Sequence, residues 1–339
     1  MNNRLLWPLI TLAFLLIVNV IHNQDFFAIT MKDGHLFGSL IDILNRAAPL
    51  VLISIGMTFV IATKGIDLSV GSIVSIAGAM SCLLISKQDG SSMGTLFIAV
   101  GLALLLSLAA GAWNGLLVST LGIQPIVATL ILMVAGRGVA QLITSGQIIT
   151  ISSPHYSFIG GGYLLGLPFS IFIIALIFMI ASVLTRKTAI GLFIESVGSN
   201  RVASRLAGIN SGRIIFIVYV LCAFLSGLAG ILLSSNVSSA DGNNAGLWYE
   251  LDAILAVVIG GNSLNGGRFY LTGTILGALI IQTLTTSIYS IGVPPEITLV
   301  VKAIVVLVVC LIQSDNFRKT LASKRKKNHK AVKQEEVAL

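Results

Sequence analysis

What this 339-residue chain most lacks is charge: Asp, Glu, Lys and Arg make up 10% of it, against 55% apolar residues. A water-soluble domain carries about a quarter charged residues, so the shortfall excludes an ordinary soluble fold and makes lipid the solvent for most of the chain. Cysteine is scarce too. Cys82, Cys222 and Cys310 each lie alone in an apolar run, which excludes a disulfide framework or a cysteine metal site and leaves them as small core residues. The histidines, His22, His35, His155 and His329, fall in connectors or the tail without metal-ligand spacing. There is no Gly-x-x-x-x-Gly-Lys-Ser/Thr loop and no His-Glu-x-x-His helix, so neither ATP binding in the usual way nor zinc peptidase chemistry is expected of this chain.

Acids are outnumbered by bases, 13 to 21, and the net charge is +8. Much of the excess sits in 186–213 and 318–333. Nucleic acid is excluded as a partner, because no basic patch is interleaved with the aromatic residues that a single-strand binder stacks on. Clusters of this kind mark segments retained in the cytoplasm.

Against these absences stand long apolar runs. A bilayer core of about 30 Å needs about 20 helical residues, and the hydropathy predicts an all-α polytopic membrane protein with about ten transmembrane helices. These run near 5–20, 47–63, 70–86, 96–119, 123–144, 164–185, 214–235, 251–261, 270–291 and 297–313. The 5–20 run follows Arg4 and lacks a small-residue cleavage site, so it is expected to be a retained helix rather than a signal peptide. The 251–261 run is too short to cross alone, which predicts a broken or re-entrant segment sheltered by protein or water. Arg186, Lys187, Arg201, Arg205 and Arg213 place their loop in the cytoplasm, and counting spans in both directions puts both termini there as well. The 21–46 and 145–162 segments then fall outside.

Residues 1–317 read as the transmembrane domain, with the cytoplasmic loop 186–213 within it and a basic tail, 318–339, disordered beside the lipid headgroups. An internal echo relates GIDLSVGS to GNSLNGGR through Gly65, Leu68 and Gly71 against Gly261, Leu264 and Gly267; it is read either as a transporter repeat or as chance in a chain with 34 glycines. Gly136, Gly138, Gly260, Gly261, Gly266 and Gly267 are expected to allow close helix contact or to break helices.

The most informative polar segment lies between the sixth and seventh spans. Glu195, Asn200, Arg201, Ser204 and Arg205 share a predicted helical stretch with Val197, Val202 and Leu206 that ends at Gly208. It is either a surface loop whose arginines set topology or an amphipathic helix that couples to a cytoplasmic ATPase. Charged residues in or beside spans are costly unless paired or hydrated. Asp67, near Lys64, would cap the next helix or line an inner gate. Arg137 would reach the interface or a neighbouring carboxylate. Trp248, Glu250 and Asp252 would face the external mouth, where acid and aromatic suit a sugar, or form an interfacial belt.

The segments GMTFVIATKGIDLSVGSIVSIAG, WNGLLVSTLGIQPIVATLILMVAGRGVAQLITSGQ, GLFIESVGSNRVASRLAGIN and LDAILAVVIGGNSLNGGRFYLTGTILGALI resemble the permeases of monosaccharide ABC importers of the ribose, xylose and galactose type. DGHLFGSLIDILNRAAP, NNAGLWYELDAILAVVIGG and GVPPEITLVVKAIVVL are similar to galactofuranose importer permeases in particular. The resemblance implies a bacterial inner-membrane permease that is not itself an enzyme. It implies a tandem ATPase subunit holding ATP and Mg, a second and different permease chain, and a periplasmic sugar-binding protein. The rival expectation is an ATP-independent transporter or channel, which needs a relay of intramembrane acids; Asp67, Glu250, Asp252 and Glu296 are the candidates.

Overall fold

The computed structural model describes residues 3–307 other than 23, 33, 89–91, 293, 295, 296, 298 and 305. The 318–339 tail, Cys310, His329, Glu296 and the end of the last expected span lie outside the described residues. Among the described residues eight helices are long and apolar enough to cross a bilayer: α1 (Asn3–His22), α2 (Ser39–Ala62), α3 (Val70–Lys87), α4 (Met93–Ser119), α5 (Pro125–Thr144), α7 (Phe169–Lys187), α10 (Ser211–Val237) and α12 (Leu271–Ser290). Between them lie the short helices α6 (Pro154–Gly161), α8 (Ala189–Ser199), α9 (Arg201–Leu206) and α11 (Tyr249–Ile259). The chain is a multi-span membrane protein. The two remaining expected crossings are the stretch ending in α11 and the one from 297, of which 297, 299–304, 306 and 307 are helical.

Helix α2 sits at the centre, with 83% of its apolar window buried, whereas the windows of α1, α4, α5 and α7 are 11–22% buried and form the outer face. Long apolar helices pack in lipid where small residues let backbones approach. Helix α10 does this against its neighbours: a Cβ at Gly56 of α2 would lie 2.8 Å from Cys222 Cα, and one at Gly111 of α4 would lie 2.9 Å from Val220 Cα. Hydroxyl and amide pairs add polar links in the apolar interior, among them Thr58 with Thr274 at 2.7 Å, Tyr156 with Ser234 at 2.6 Å and Asn19 to Ser287 at 2.6 Å.

Several boundaries differ from the expected ones for identifiable reasons. Helix α2 starts at Ser39, well before the apolar run, because Arg46 pairs with Asp42 one turn away at 2.8 Å and carries the helix into the polar zone. The expected sixth span begins late. Its first residues form a hairpin of β4 (Tyr163–Leu164) and β5 (Leu167–Pro168), turned through left-handed Leu165 and Gly166. A second hairpin, β1 (Thr30–Lys32) with β2 (His35–Phe37), folds over that end, and its Leu36 N–H donates to Gly166 O at 2.9 Å. Also at the hairpin end, β3 (Ile149–Thr150) pairs with β6 (Ser239–Ala240).

Candidate functional site

Two of the departures from continuous helix among the described residues carry residues singled out from the sequence. The first is at the basic end of the bundle. The predicted single amphipathic helix is two helices, since the chain breaks at Asn200, whose Oδ1 accepts the N–H groups of Val202 and Ala203, both at 3.0 Å, and caps α9. Val197 and Ser204 are buried and face the bundle, Glu195 is half-buried, and Arg201, Val202, Arg205 and Leu206 are exposed. The stretch is pinned to its neighbours: Lys64 Nζ donates to Ser199 O at 3.1 Å, and Ser211 Oγ donates to Arg201 O at 3.1 Å. Gly267 N–H donates to Ala62 O at 2.9 Å, directly against Gly198. The ends of α2, α8 and the α11–α12 connector thus meet at one point.

The glycine echo places its two segments side by side at this junction without giving them one backbone. Gly261 and Gly267 are left-handed, with φ near 85° and 89°, whereas Gly71 lies within α3 and the left-handed residue after α2 is Lys64. Between this junction and α4–α5 lies a cavity of about 270 Å³ whose wall includes Lys64, Gln124, Arg201 and Tyr219. Asp67 lies buried in the α2–α3 connector, where its Oδ1 accepts from Ser69 N–H at 3.0 Å and Ser69 Oγ at 2.6 Å; Ser69 Oγ in turn accepts from Asn114 Nδ2 at 2.8 Å. It is a local brace at the start of α3.

Burial pushes the Asp67 carboxyl up to about 6, only partly offset by the bonds from the Ser69 hydroxyl and N–H. An unfolded aspartate titrates near 3.9, so between about pH 4 and 6 the folded chain holds the extra proton, and stability falls as pH rises through that window. We expect Asp67→Asn to flatten this dependence. The difference in stability between variant and wild type should change by on the order of 3 kcal/mol from pH 4 to 7, read as thermal midpoints in detergent; parallel pH profiles would refute it.

The second departure is the eighth crossing. After β6 the chain does not form helix at once but descends through 241–248 along α3 and α5 before α11 begins. Side chains of those spans anchor it, Ser75 Oγ donating to Gly242 O at 3.1 Å and Arg137 Nη1 to Ala245 O at 2.6 Å. Ser75 and Arg137 both stand well inside their helices, so the start of α11 lies at mid-depth. The expected broken span is therefore a half-helix preceded by turns, a form found around transporter binding sites.

The named path residues separate here. Glu250 is buried, with its carboxylate against Gly71; Asp252 pairs with Lys302 at 2.5 Å; Arg137 is engaged with Ala245 O; Trp248 alone of this group is exposed, at 44%. Asp67, at the far side, is braced as above. Asp241, Asn243 and Asn244 were not singled out from the sequence, although three polar residues between two apolar runs were a visible signal. Among the described residues no group of three or more His, Cys, Asp or Glu could hold a metal.

Residues 39–310 match the family described as branched-chain amino acid transport system / permease component. The chain is 52% identical over 322 residues to the galactofuranose transporter permease protein YtfT of Escherichia coli K12, covering 93% of each chain. It is 39% identical over 333 residues to the fructose import permease protein FruF of Bifidobacterium longum, covering 96% of this chain and 92% of the relative. It is 36% identical over 312 residues to the ribose import permease protein RbsC of Haemophilus influenzae, covering 91% and 92%. No solved structure matches it. The family's description names amino acids and these relatives are named for sugars, so membership fixes the role rather than the cargo. A bundle with a broken crossing at mid-depth and a pinned helix pair at one end is what such a role needs, and the chain belongs to the permease components of ABC importers, as a translocating subunit rather than an enzyme.

Proposed function

We propose that this chain forms half of the passage for a neutral monosaccharide, of the galactofuranose type, through the inner membrane of a bacterium. The sugar names shared by the relatives support the class of cargo, and the 52% identity to the galactofuranose permease supports the particular one. A periplasmic binding protein delivers the sugar, a second and different permease chain completes the passage, and lipid surrounds both. ATP and Mg act on a separate tandem ATPase. The basic end, with Arg186, Lys187, Arg201, Arg205 and Arg213, is cytoplasmic, as are both termini, because arginine and lysine resist translocation.

The observation that carries this reading is α9. It presents Arg201, Arg205, Val202 at 70% and Leu206 at 86% exposure on a short helix held to the ends of α2 and α10. A rigid patch of that composition suits a docking partner, and its attachment lets a displacement reach the central helix. Energy is transmitted because the ATPase interacts differently with two positions of this patch. Reversing both charges, Arg201→Glu with Arg205→Glu, should cut uptake to below a tenth and abolish co-purification of the ATPase or its stimulation. The chain should still reach the membrane in normal amount. Undiminished co-purification with normal uptake would sink the assignment.

A further inference from the structure

The descent 241–248 presents two faces. Gly242 is buried against Ala140 and Thr144 of α5, and Gly246 and Glu250 against α3, while Asn243, Asn244, Leu247 and Trp248 are exposed. Non-helical backbone at membrane depth is tolerated only against protein or water, since each unmet polar group in hydrocarbon costs several kcal/mol. Among the described residues nothing covers the exposed face, and two primary amides on it are poor company for lipid. A water-filled space beside this face would satisfy both amides.

Its charged neighbours Asp241 and Arg137 are hydrogen-bonded within the turn. Asp241 Oδ1 accepts the N–H groups of Asn243 at 2.8 Å and Asn244 at 3.2 Å, and its Oδ2 accepts from Asn244 Nδ2 at 2.8 Å. Arg137 and Ser75 hold the carbonyls of Ala245 and Gly242. Gly246, at φ 66°, lets the turn lie on α3, where a Cβ would come 2.7 Å from Gly71 O. These contacts leave the Asn244 carbonyl oxygen, the whole Asn243 amide and the Trp248 ring directed outward. The Asn243 side chain has no partner among the described residues.

We propose that Asn243, Asn244 and Trp248 form a recognition patch for the hydroxyls and apolar face of a neutral monosaccharide at mid-depth, with Asp241, Arg137 and Ser75 as positioning residues. This rests on the importer reading above and names the contacts within it. An amide donates and accepts at once without carrying charge, which matches a polyol and offers nothing special to an ion. An indole adds a flat apolar surface with one donor. Sugar selectivity then lies in uncharged groups rather than in Glu250, which is buried beside Gly71, or Asp252, which pairs with Lys302.

The test uses the complete importer in cells. Single cysteines are placed at Asn243→Cys and Asn244→Cys, and, on the outer apolar face of α7, at Leu176→Cys and Met179→Cys; all are treated with a cationic, water-soluble methanethiosulfonate. The patch positions should react at least tenfold faster than the α7 positions. Equal, slow reaction would overturn the water-facing assignment, including the case in which the partner permease covers the patch. Uptake of radiolabelled D-galactose by Asn243→Ala and Asn244→Ala should show a maximal rate about tenfold lower. The half-saturating concentration should stay unchanged, since the binding protein sets it. Asn243→Ala keeps the test decisive if Asn244→Ala folds poorly, because the Asn243 side chain holds nothing in place. Wild-type rates in both variants, alongside ATP-dependent wild-type uptake, would overturn this inference alone; wild-type uptake that survives ATP depletion would instead overturn the importer reading.

Discussion

Replacing Lys302 with methionine should lower the stability of the folded chain by about 3 kcal/mol or more. Lys302 Nζ meets Asp252 Oδ2 at 2.5 Å, and the two side chains are 13% and 16% exposed. The pair ties the last described helical stretch to α11. Removing one member leaves the other as a charge shielded from water, and that uncompensated ion, rather than the lost attraction, is the main cost. Asp252→Leu with Lys302→Met should therefore recover most of the loss, since two apolar side chains of similar volume need no partner. Thermal midpoints in detergent for the two single variants and the double variant supply the comparison. Single variants as stable as wild type, or a double variant no better than either, would show that the pair is solvated and energetically idle.

The other large effect is expected at a glycine. Gly198→Ala should reduce uptake more than tenfold and cost about 1–3 kcal/mol of stability, although the added group is one methyl. A Cβ there would collide with the Ala62 carbonyl and come 2.7 Å from Gly267 N. Both neighbours are backbone and belong to a hydrogen bond of 2.9 Å, so neither can swing aside as a side-chain tip would. Helix α8 must lift from the end of α2, and the contact through which α9 would move the central helix is lost. Gly138→Ala is the control, because nothing lies within 4 Å of its Cβ position and it sits in α5; there alanine should be neutral or slightly stabilising. Matching uptake in the two variants would mean the junction tolerates separation and does not transmit force.

Two glycines of α5 differ in a way that the chain does not display. Gly136 and Gly138 look alike in the chain, yet a Cβ at Gly136 would lie 2.7 Å from Ser72 Oγ and one at Gly138 meets nothing. Which face of α5 meets α3 is a tertiary fact. The acids behave similarly. Asp67, Glu250 and Asp252 look alike as path residues in the chain, yet Asp67 is bonded to Ser69, Asp252 is paired with Lys302, and Glu250 is buried beside Gly71 with its Oε2 unpartnered among the described residues. Asn243 and Asn244 carry no charge and were passed over, although they occupy the exposed face.

By itself the amino-acid sequence determined that the chain crosses the bilayer many times and that one crossing is incomplete. Hydrocarbon imposes that on every segment separately, through the length of an apolar run and the cost of charge within it. Only the tertiary structure decided which polar groups within those crossings are braces and which look into open space, and that Val197 and Ser204 turn inward while Arg201 and Arg205 do not. The reason is physical: a side chain's role depends on what stands opposite it, and in this bundle the opposing residue is often more than a hundred positions away, as for Lys64 with Ser199 and Arg137 with Ala245.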